Sequence, residues 1–125
     1  MNALLWVLQF VLATFFFFHG NIKLNLPPEF PEMLTWINDL SPSLRTFIGL
    51  VELLGALGLL LPAVTRIQPR LIPLAAAGLS VVMLLAAIWH YPRGETALIA
   101  NNIVLLVLTA FVAYGRWKLH PIPPR

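Results

Sequence analysis

Four apolar runs, each long enough to cross a bilayer, dominate this chain. They cover about residues 3–24, 44–64, 71–91 and 97–117. A hydrocarbon core about 30 Å thick needs roughly 20 apolar residues in helical form, because no water is there to satisfy an open backbone. Breakers separate the runs: Pro27, Pro28 and Pro31, then Pro62 and Pro69, then Pro92 with Gly94. Only 10% of the 125 residues are charged and 59% are hydrophobic. A water-soluble domain carries about 25% charged residues. The pattern predicts an all-α fold, a transmembrane antiparallel four-helix bundle, as a single integral membrane domain over residues 1–125.

The sequence pI is about 10.0, but Lys and Arg lie singly at the ends of apolar runs. That distribution suits membrane topology and anionic headgroups, and no nucleic-acid partner is expected. With the N-terminus inside, the inner side holds Arg66, Arg70, Arg116, Lys118 and Arg125, and the outer side holds Lys23, Arg45 and Arg93. The bias predicts both termini on the cytoplasmic side. There is no cysteine, which removes thiol nucleophiles, disulfide exchange and cysteine-ligated clusters from the chemistry of this chain.

The short second and third connections force antiparallel neighbours. The first, residues 25–43, is longer. Met33, Leu34, Ile37 and Leu40 fall there at i, i+1, i+4 and i+7, with Glu32, Asn38 and Asp39 among the other positions, which predicts a short amphipathic helix at the interface. It is either an ordered loop or a lid over whatever opens on that side.

Polar residues inside the runs segregate by depth. At about 1.5 Å per residue, His19 lies about 6 Å below Lys23 on the first helix. Glu52 lies roughly 10 Å below Arg45 on the second. His90 ends the third run, and Asn101 and Asn102 lie in the opening turns of the fourth. All fall in one half of the bilayer. The other half has little beyond Gln9 and hydroxyl groups. Glu52 is the one acidic residue inside a run, and Gly49, Glu52 and Ala56 share a face that should pack inward. An intramembrane charge is costly and is kept for pairing or for function. The candidate ligand-binding cluster is therefore His19, Lys23, Arg45, Glu52, His90, Asn101 and Asn102. Two roles stay open: a buried ion pair that fixes helix order, and binding or proton handling. His and Glu are metal-ligand types, but no metal spacing is present and no metal is assigned. Trp6, Trp36, Trp89 and Trp117 fall at run boundaries as interface anchors, and Trp36 and Trp89 are placed to line the outer mouth.

HGNIKL at the end of the first run, RTFIGLVELLGALGLLLPAV, LIPLAAAGLSVVMLLAAIWHYPRGE and NNIVLLVLTAFVAYGRW resemble the DoxX-like membrane proteins. The matching family positions are Gly20, Lys23, Glu52 and Asn102. The resemblance implies a compact four-helix bundle in the bacterial cytoplasmic membrane. One branch includes a subunit of a thiosulfate:quinone oxidoreductase. On that footing the chain is expected to bind a quinone or similar lipophilic molecule as the membrane subunit of a redox system. It carries no cofactor of its own, and its partners are membrane lipids, a redox subunit or a second copy. The alternatives are a structural or assembly subunit without chemistry, and a lipid-modifying isomerase using buried acid–base groups.

Overall fold

The computed structural model describes residues 1–25 and 32–125, with side chains for residues 1–25 and 36–125. It is all-α among those residues. The helices are α1 (Asn2–Leu24), α2 (Pro42–Thr65), α3 (Leu71–His90) and α4 (Thr96–Tyr114). All four are long and apolar enough to cross a membrane. Both termini lie at one end of the bundle, here the terminal end. The α1–α2 and α3–α4 connections lie at the other, the loop end.

Each helix buries a narrow stripe and turns the rest outward. Leu5, Leu12, Phe16, Leu59, Ile72, Leu79 and Val112 form the core, while Phe18, Leu54, Leu85 and Val107 are more than half exposed. In water such a surface would aggregate. In lipid it is the correct solvent-facing side.

Helix ends follow local chemistry. The Ser41 side chain accepts from the Leu44 N–H and Pro42 starts α2, which is N-cap followed by proline in the first turn. Gly94 takes the left-handed conformation, φ 69°, that turns α3 into α4. A π-helical turn, Gly115–Leu119, continues α4, so the expected extension to Trp117 is realised with a change of pitch.

The amphipathic segment of the first connection forms a 3-10 helix, Glu32–Asp39. Ile37 and Leu40 are buried; the three-residue repeat of this helix type suits that spacing. The side chains of Met33 and Leu34, expected on the same face, lie outside the described residues, as do Pro27, Pro28 and Pro31.

Candidate functional site

Two glycines build the centre of the loop end. A Cβ on Gly20 would lie 2.9 Å from the Gly49 carbonyl oxygen, and one on Gly49 would lie 3.0 Å from that of Gly20. Helices α1 and α2 therefore cross backbone to backbone, as small residues permit in lipid. Lys23 and Glu52 each sit three residues past their glycine. Side chains lean toward the N-terminus of their own helix, and these helices are antiparallel. Lys23 thus leans down and Glu52 leans up, over the crossing. Lys23 Nζ lies 2.6 Å from Glu52 Oε1, with both side chains almost fully buried. The contact has ion-pair distance without regular hydrogen-bond angles.

Beside the pair lies a cavity of about 760 Å³, within the range of pre-formed small-molecule sites. His19, Lys23, Glu52, His90, Asn101 and Asn102 all line it, together with Trp36, Trp89 and a larger apolar wall. Its lining includes Phe18, Phe47, Val81 and Leu85, which are exposed on the outer faces of three helices. The cavity therefore opens sideways, between helices, where the bilayer would lie.

Two donors in this lining have no acceptor. Trp36 Nε1 and Asn102 Nδ2 are buried without a hydrogen-bond partner among the described residues. A buried polar group left unpaired costs about 1–3 kcal/mol, so each marks a place where an acceptor belongs. The aromatic wall is continuous: Trp36 lies 5.8 Å from Trp89 and 4.7 Å from His90, centroid to centroid. The His19 ring stacks on Phe15 at 4.0 Å.

A chain of ion pairs holds the 3-10 helix over this end. Arg93 bonds Asp39 of that helix through Nη2 and donates from Nε to Glu95 Oε1 at 2.5 Å. His90 Nδ1 lies 3.0 Å from the same oxygen; a carboxylate only accepts, so Nδ1 carries the proton. The hydrogen bond from His90, then that from Arg93, holds the Glu95 carboxyl below its ordinary range. Arg93 also stacks on Trp89 at 4.4 Å.

Arg45 is the one expected cluster member that does not line the cavity. It lies one turn before Gly49, on the same face of α2, while Phe47, Ile48 and Val51 carry the cavity wall. Its Nε is buried without a partner among the described residues. His90 is joined to Glu95 rather than to Glu52. Among the described residues no three His, Asp or Glu side chains converge as a metal site.

The opposite half is more polar than the sequence predicts. Arg116, counted there with the loop charges, is 3% exposed. It donates from Nε to Gln9 Oε1 at 2.6 Å and from Nη1 to Asn2 Oδ1 at 2.7 Å and the His120 carbonyl at 2.8 Å. Gln9 in turn donates to the Leu59 carbonyl at 2.6 Å. The signal was Gln9 itself, an amide inside an apolar run that needs a partner.

Fold and cavity together define a multi-pass helical membrane protein with a laterally open, polar-floored chamber at one end. The chain belongs to the DoxX-like family, whose model matches residues 7–112. No curated protein and no solved structure matched it.

Proposed function

We propose that this chain binds a lipophilic small molecule with carbonyl acceptors, a quinone being the class that fits best, in the chamber at its loop end. One observation carries the reading. Two buried N–H donors without acceptors among the described residues, Trp36 Nε1 and Asn102 Nδ2, line one largely apolar cavity beside the buried Lys23–Glu52 ion pair. A quinone headgroup has two acceptors, no donor and a flat face suited to the Trp36, Trp89 and His90 rings. Its tail would leave through the sideways opening into lipid.

In this reading Lys23 and Glu52 play both roles left open by the sequence. The pair fixes the α1–α2 crossing and, neutral overall, puts both an ammonium and a carboxylate at the chamber floor. His19 and His90 are the groups available to exchange protons with a bound headgroup. The sequence carries no cofactor motif, so in this proposal the electron carrier of any redox turnover is a partner subunit or the quinone itself. The Lys and Arg bias supports cytoplasmic termini, which would put the chamber in the outer leaflet of a bacterial cytoplasmic membrane.

Fluorescence titration with a short-chain ubiquinone analogue in detergent tests the proposal, since bound quinone quenches Trp36 and Trp89. Saturable quenching is expected. Asn102→Leu and Trp36→Phe each remove one donor and should weaken binding by about tenfold, the value of one hydrogen bond to a buried group. Unchanged affinity in both variants refutes the assignment.

A further inference from the structure

The terminal end holds a second cavity, and its chemistry is the reverse of the first. It measures about 490 Å³ and is lined by Gln68, Arg70, Arg116, Trp117 and prolines of the C-terminal segment, Pro121 and Pro124. The segment folds back over it: the Arg125 N–H bonds the Arg66 carbonyl at 3.0 Å, closing the tail onto the α2–α3 turn.

Arg116 is the central feature. Its guanidinium is always charged, yet every described partner is neutral: two side-chain amides and a carbonyl. Nη2 is buried with no partner among the described residues. No acidic residue is near in the chain. Asp39, Glu52 and Glu95 belong to the loop-end half, and Glu29 and Glu32 fall in the α1–α2 connection. A buried cation without a counter-charge is costly. This one also has Arg70 across the same cavity and the positive end of the α3 dipole behind it.

We propose that this cleft binds a phosphate group, with Arg116 as the buried ligand and Arg70 as the outer one. The phosphate is that of a lipid headgroup. Tyr114 and Trp117 are both exposed at this level, as aromatic residues are where a helix meets the headgroups. Lys118 and Arg125 directly follow the lining residues Trp117 and Pro124 in the chain. The proposal uses none of the residues of the loop-end chamber and stands or falls without it.

Native mass spectrometry in detergent decides it. Phosphatidylglycerol is titrated against diacylglycerol with the same acyl chains, which lacks the phosphate. Tighter retention of phosphatidylglycerol is expected. Arg116→Gln should abolish the difference, and Arg70→Gln should reduce it by about fivefold, the size of one basic residue at an anionic surface. Arg70 is exposed and its side chain makes no bond to a described residue, so Arg70→Gln folds even if Arg116→Gln does not. Displacement of the lipid by millimolar inorganic phosphate would keep the site and name a soluble phosphate as its occupant. Equal retention of the two lipids, or phosphatidylglycerol binding unchanged in Arg70→Gln, overturns the proposal.

Discussion

Lys23→Met takes the counter-charge from the buried Glu52, which must then stay charged without a partner or take up a proton. At 2.6 Å and an effective dielectric of about 20, the lost attraction is about 6 kcal/mol. The desolvation of two ions, several kcal/mol each, has already consumed most of that gain. The net cost of breaking the pair is therefore about 3–5 kcal/mol, because it strands one charge. Replacing both partners removes the stranded charge. The double variant Lys23→Met with Glu52→Gln should recover most of the loss and melt close to the parent protein. The assay is thermal unfolding in detergent, followed by circular dichroism, for both single variants and the double. A double variant as unstable as the sum of the singles would refute the claim that the two side chains act as one buried pair.

Gly20→Ala puts a methyl group 2.9 Å from the Gly49 carbonyl oxygen; it should lower the melting temperature despite the better helix propensity of alanine and weaken quinone-analogue binding through the displaced Lys23–Glu52 pair. Arg93→Gln cuts the link from the 3-10 helix to the α3–α4 turn, and limited proteolysis should then cleave within residues 32–41 faster than in the parent. The same latch responds to acid. Glu95 has a folded-state pKa lowered from its ordinary value of 4.5, so its contribution is complete above that value and fades as falling pH carries it through the lowered one. Proteolysis of the segment at graded pH should show protection lost only on the acid side. Cysteines placed at Asn2 and Pro124 should resist an impermeant reagent in intact cells and react after lysis, as cytoplasmic termini require.

The helices were legible because lipid makes one demand at a time: about 20 apolar residues, then a breaker. The need of Glu52 for a partner was legible for the same reason, but Lys23, Arg45 and His19 all lie in its half of the bilayer. The close approach of Gly20 and Gly49, three residues before Lys23 and Glu52, selects Lys23. Arg45 shares depth with the cluster but not direction, and depth alone could not tell the α1-facing stripe from the cavity wall. In sequence Arg116 counts among the inner-side charges; its burial depends on Asn2 and Gln9, more than a hundred residues away. The Asp39–Arg93–Glu95 latch joins residues 54 apart in the chain, with ordinary loop composition on both sides. The unpartnered donors of Trp36 and Asn102 are facts of packing, and no periodicity announces them.

Photoaffinity labelling with an azidoquinone in native membranes addresses the chamber most directly, since the modified residues can be mapped by peptide mass spectrometry. Labels are predicted on chamber residues such as His19, Trp36, Met83, Trp89, His90 and Asn102, and excess unlabelled quinone analogue should suppress them. Labels confined to lipid-facing positions such as Leu54, Leu61 and Val107, unaffected by the competitor, would contradict a quinone site in this protein.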